Sequence, residues 1–212
     1  ALVMTHSDNN GLVLPPKLAP IQVAIIPIFK TQEQLSQIRE KALNIKKSLE
    51  KKGISVKFDD RDTLTPGWKF ADYEFKGVPV RMAIGPRDME NNTVEVARRD
   101  TLEKSIFQLT DIDSKIEHLL EQIQKNLFQK AQTYTEDNTY HVHSWKEFNE
   151  VLDEKGGFIY AHWDGTPETE QKIKEETKAT IRCIPFNNPK EAGKCVYSGN
   201  PSQQKVIFAR AY

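Results

Sequence analysis

A chain of 212 residues is long enough for one large or two small domains, and its 30 basic and 30 acidic side chains leave no net charge at neutral pH. That balance argues neither for nor against a nucleic-acid partner, because a phosphate responds to the local field and not to the sum. No apolar run reaches membrane-spanning length, no charged-then-apolar leader opens the sequence, and two cysteines, Cys183 and Cys195, make no disulfide framework. The expectation is a cytoplasmic protein with free thiols, partnered by neither membrane nor DNA.

The first residues, ALVMTHSDNNGLVLPPKLAP, give an apolar piece, a polar turn from Asp8 to Gly11 and a proline-punctuated extended segment. An apolar start that enters a turn at once reads as a cut edge. From Ile21, IQVAIIPIF is a β-branched run suited to a strand buried on both faces. Leu35, Ile38, Ala42, Ile45 and Leu49 then recur at helical spacing, and Gly53 supplies a helix-ending glycine. ISVKF predicts a second strand, and WKFADYEFK, after Thr65-Pro66-Gly67, a short helix. VPVRMAIGP and NTVEVARRD carry apolar residues at period two, with Arg81, Glu95 and Arg98 interleaved on a solvated face. Between them Gly85-Pro86 and Asn91-Asn92 are turn signals. A long helix from Asp113, with Ile116, Leu119, Leu120, Ile123 and Leu127 on one stripe, closes the first domain.

Beyond Asn138 the wording changes. Ser144 can cap a helix with Glu147 as its capping-box partner, GFIYAHW predicts a strand, PETEQKIKEETK a charged helix and TIRCIPF a strand. A turn after Cys195 leads into KVIFARAY, an apolar strand. The alternation defines an α/β fold with a mixed, mostly parallel sheet, followed by a small α+β domain.

No nucleophile elbow, HExxH pair, phosphate loop or dinucleotide fingerprint is present, so no catalytic residue is assigned. His141 and His143 flank Val142 in a strand-like piece, but no carboxylate or thiol follows at ligand spacing, and both read as solvated strand residues. His162 reads as a packed neighbour of Trp163.

The stretch from Asp59 to Asp100 places charges where a plain core would place apolar residues. Its wording, together with that from Gly165 to Tyr212, resembles the anticodon-binding domain and the C-terminal zinc-binding domain of prolyl-tRNA synthetases of the archaeal and eukaryotic type, a class II family. The resemblance implies three segments: 1–17 as the tail of a catalytic domain and its linker, 18–132 as a three-layer anticodon-binding domain, and 133–212 as a zinc-binding-like domain. It implies a whole enzyme that activates proline with ATP and Mg²⁺ and transfers it to tRNA(Pro). This piece would lack the catalytic centre, partner its own catalytic domain and be monomeric, the full enzyme dimerising elsewhere. The rival is a stand-alone α/β module that binds RNA or protein without aminoacylation.

The resemblance also implies site residues. The proline anticodon ends in two guanines, whose edges call for a carboxylate acceptor and cationic donors. The family's glutamate, arginine and basic residue fall at Glu74 in YEFKG, Arg81 in VPVR and Arg87 in GPRD. Arg61, Lys69 and Lys76 are expected phosphate contacts, with Phe70 or Trp68 as a stacking face. The four zinc positions fall at Asp164, Thr169, Cys195 and Ser198, which keep one thiolate, and Cys183 matches a cysteine that is no ligand; zinc is not expected. Tyr212 matches a terminal tyrosine that folds toward the catalytic domain.

Overall fold

The computed structural model describes residues 1–210, so the expectation for Tyr212 lies outside the described residues. The chain divides into two compact units, Ala1–Ala131 and Gln132–Tyr212. The first contains α1 (Leu2–His6), β1 (Val23–Pro27), α2 (Gln32–Lys51), β2 (Val56–Phe58), α3 (Pro66–Phe75), β3 (Val80–Ile84), α4 (Pro86–Asn91), β4 (Thr93–Arg98) and β5 (Lys104–Gln108). A long helix, α5 (Ile112–Asp137), carries the chain into the second unit.

The five strands form one sheet in the order β2-β1-β3-β4-β5. β1 pairs parallel with β2 and β3, whereas β4 runs antiparallel to β3 and to β5, so the sheet is mixed. Alternation along β1 explains the three layers. Val23 and Ile25 join one apolar cluster with Ile38, Ala42 and Leu49 of α2 and Ile116, Leu120 and Ile123 of α5. Ala24 and Ile26 face the other way, against Tyr73 of α3 and Val78.

Two elements of this unit depart from the sequence expectation. The Gly85-Pro86 and Asn91-Asn92 signals are not a plain turn but the two ends of α4: Pro86 opens the helix and Asn92, at φ 53°, closes it in the left-handed conformation. β5 was not expected at all. It is an edge strand with Ile106 74 % exposed and only Phe107 against the core, so no clean alternation announces it.

The second unit contains β6 (Thr139–His141), α6 (Trp145–Glu154), β7 (Phe158–His162), α7 (Pro167–Thr177), β8 (Ala179–Cys183), the short pair β9 (Gly193–Lys194) and β10 (Pro201–Ser202), and β11 (Lys205–Arg210). Its main sheet has the order β6-β7-β11-β8, with β6 parallel to β7 and the other pairings antiparallel. Phe148 and Leu152 of α6 and Ile173 of α7 pack on Ile159, Ala161, Val206 and Phe208. Ser144 caps α6 by accepting from the Glu147 backbone N–H, as expected, while the Glu147 carboxylate accepts from the His143 N–H at 2.8 Å. No helix among the described residues is long and apolar enough to cross a membrane.

Candidate nucleic-acid interface

In the first unit α2 and α5 cover one face of the sheet, while the other carries α3 against β1. Period two then decides what the rest of that second face presents. Register places Arg81 opposite Ala97, Ala97 opposite Lys104, and Glu95 opposite Ile106, all on the α3 side. Lys104 and Ile106 are exposed, so the face is open over β4 and β5.

Where α3 meets this open face there is a cleft of about 220 Å³, lined among others by Phe70, Glu74, Arg81, Arg99, Leu102 and Lys104. The Arg81 guanidinium lies 3.8 Å from the Phe70 ring centroid, and Glu95 Oε1 stands 3.6 Å from its Nη1. That Nη1 is buried and has no hydrogen-bond acceptor among the described residues. Burial pushes the Arg81 pKa down from its ordinary value, opposed by the charges of Glu95 and Glu74. The cleft thus brings together a carboxylate, a partly desolvated guanidinium, a second cation at Lys104, and an aromatic ring. It fits a planar heterocycle carrying both donors and acceptors on its edge.

The position of Glu74 is fixed from behind. Arg99 is 4 % exposed and donates from Nε to the Glu74 carbonyl at 2.8 Å. Its two terminal nitrogens fork onto Asp8 at 2.7 and 2.6 Å, and this bond from Arg99 leads the causes that hold the Asp8 carboxyl at about 2. Alongside, Leu12 N–H donates to the Phe75 carbonyl at 2.9 Å. Gly11, at φ +124°, lies so close that a Cβ there would stand 2.5 Å from the Phe75 oxygen. The turn expected from Asp8 to Gly11 is therefore part of the cleft's support. Nothing in the sequence announces this, since Asp8 and Arg99 are 91 residues apart and each reads alone as a solvated charge.

Glu74 and Arg81 are brought together: the first lies in the last turn of α3, the second in β3, and both line the cleft. Arg87 is exposed on α4, beyond the other end of β3, and does not line it. Among the expected phosphate contacts, Lys69 is corrected. It is 1 % exposed, and its Nζ donates to the backbone carbonyls of Asp59 at 3.0 Å and Arg61 at 2.5 Å, so no phosphate can reach it. Arg61 is half-exposed but chelates the buried Asp59 at 2.8 and 2.6 Å, while the exposed Lys76 pairs with Asp72 at 2.7 Å. Trp68 is about half exposed and 5.8 Å from the Arg61 guanidinium.

In the second unit the positions matching zinc ligands form a hydrogen-bonded clasp. Asp164 Oδ2 accepts from Thr169 Oγ1 at 2.8 Å and Ser198 Oγ at 2.6 Å, and Oδ1 accepts from the Thr166 hydroxyl at 2.8 Å and backbone N–H at 3.1 Å. These bonds outweigh burial and hold the Asp164 carboxyl at about 2. Cys195 is buried, and no group of three or more His, Cys, Asp and Glu suited to a metal occurs among the described residues. His141 ends β6 and stacks on Tyr160, while His143 lies beyond the strand. His162 is buried, with Nδ1 3.0 Å from Ser202 Oγ.

Two family models match the chain: the anticodon binding domain over residues 22–126 and the prolyl-tRNA synthetase C-terminal domain over residues 145–212. Among curated relatives, the proline–tRNA ligase of Porphyromonas gingivalis strain W83 is 61 % identical over 212 residues, covering 100 % of this chain and 43 % of the relative. Those of Christiangramia forsetii and Flavobacterium johnsoniae are each 58 % identical with the same coverage. The chain therefore spans less than half the length of these relatives, all of them bacterial. The two domain matches, in order over residues 22–126 and 145–212, together with 61 % identity to a relative along the whole chain, place it in the prolyl-tRNA synthetase family, as that family's anticodon-binding and C-terminal region.

Proposed function

We propose that the first unit reads the two guanines of the tRNA(Pro) anticodon, on behalf of a synthetase that activates proline with ATP and Mg²⁺ on its own catalytic domain in the cytoplasm. The observation that carries this is the convergence of Glu74 and Arg81 in one cleft beside Phe70. An unstacked guanine offers N1–H and N2–H to a carboxylate and O6 and N7 to a guanidinium, and its ring can lie on an aromatic side chain. Glu74 and Arg81 supply this set within one cleft, and Arg87, exposed beyond it, is left for the neighbouring base or its phosphate. A domain appended after the anticodon-binding one supports the archaeal and eukaryotic type of this enzyme. The clasp at Asp164 supports a C-terminal domain that works without zinc, because hydroxyls already bonded to a carboxylate are poor ligands.

The test is tRNA(Pro) binding by alanine variants of Glu74, Arg81 and Arg87. Each should lose about 1–3 kcal/mol and relax discrimination at one anticodon position. Variants that bind guanine-substituted and native anticodons as the parent does would overturn the assignment.

A further inference from the structure

The second unit holds a surface that anticodon reading does not use. Its four-stranded sheet has α6 and α7 on one face. Along β7, Ile159 and Ala161 point to those helices, so Phe158 and Tyr160 point to the opposite face. There Tyr160 stacks on His141 with ring centroids 4.8 Å apart and planes 17° apart, and Phe158 is 39 % exposed. Two clefts cross this face and share Phe158 and Arg182, forming one groove that reaches Tyr134 at one end and Ile207 at the other. The exposed Arg182 uses one guanidinium nitrogen on the Ala209 carbonyl at 3.1 Å. Lys155 and Arg210 line the Tyr134 end, where Arg210 is paired with Asp153 at 2.7 Å. Glu136, the carboxylate lining the groove, accepts from Gln132.

We infer that this face is a stacking surface for unpaired RNA. Rings standing on a sheet whose back is covered by helices, interleaved with cations, are the means by which proteins hold unstacked bases and track their phosphates. An apolar protein segment would be better served by aliphatic side chains without the central arginine. The charge selects the polyanion.

The experiment uses the full 212-residue chain and a labelled uridine dodecamer, which contains no guanine for Glu74 and Arg81 to read. Fluorescence anisotropy at low salt should show binding. Phe158→Ala and Tyr160→Ala should each weaken it about tenfold. Arg182→Ala should weaken it and flatten its dependence on salt. Should Tyr160→Ala fail to fold, the exposed positions carry the test through Phe158→Ser and Arg182→Glu. No measurable binding by the parent, or equal binding by folded variants at Phe158 and Arg182, overturns the inference. So would variants that lose a protein partner while holding uridine normally. None of these outcomes bears on guanine reading, which is scored separately on the anticodon variants.

Discussion

Replacing Lys69 with methionine should damage the first unit far more than a surface lysine would. Methionine keeps the apolar stem but removes the ammonium that donates to the Asp59 and Arg61 carbonyls and stands 3.8 Å from Asp59 Oδ1. Asp59 is itself 1 % exposed, so its carboxylate would keep Arg61 and the Tyr73 hydroxyl, at 3.2 Å, but lose the buried cation. Deleting one partner of a buried pair costs about 3–5 kcal/mol, a large part of the ~5–15 kcal/mol that holds a domain folded. At a urea dependence of about 1–3 kcal/mol per molar, the unfolding midpoint drops by about 2 M. Hydrogen exchange of α3 peptides across a urea series isolates the first unit from the second. A drop below about 0.5 M would refute the account. The network also fixes an acid dependence. The Arg61 hydrogen bond leads the causes that hold the Asp59 carboxyl at about 2, below its unfolded value of 3.8. Its contribution of about 2 kcal/mol is thus complete above about pH 4 and vanishes as the pH falls toward 2. Lys69→Met raises the folded value and moves this loss to higher pH.

Asp164→Ala should cost the second unit about 2 kcal/mol, by stranding the hydroxyls of Thr166, Thr169 and Ser198. Thermal unfolding followed by exchange in residues 195–202 reads it; because the carboxyl sits at about 2, the parent's advantage should shrink below pH 4, with no such shrinkage from this group in the variant. Gly11→Ala should destabilise the first unit by about 2 kcal/mol, since φ +124° and a Cβ 2.5 Å from the Phe75 oxygen are both unfavourable; a neutral result in urea unfolding would count against the close approach. After chelation and zinc dialysis the chain should hold well below one zinc, whereas Asp164→Cys, Thr169→Cys and Ser198→Cys together, with Cys195, should bind one per chain, as measured by elemental analysis.

What the sequence made legible follows from which contacts are local. β1 announces burial on both faces because Val23 to Ile26 are apolar without interruption, and α2 and α5 announce themselves by stripes. Glu74 and Arg81 sit seven positions apart across a helix end and a strand start, so a local motif locates both. Lys69 shows the limit: lysine is ordinarily exposed, and only the Asp59 loop, folded over α3, makes it a buried cation. Arg99 is equally opaque, because its partner Asp8 lies at the other end of the unit. β5 escaped because an edge strand with one solvated face needs its neighbour's hydrogen bonds and not a hydrophobic pattern.

Arg99 joins Asp8 to the Glu74 carbonyl through a single rigid guanidinium, so the cleft has a handle on the polypeptide that precedes it. A displacement of the segment around Asp8 reaches the end of α3 without passing through the sheet. The posture of the last turn of α3 and that of the segment around Asp8 are in this sense one mechanical variable, and whatever holds either of them bears on the other.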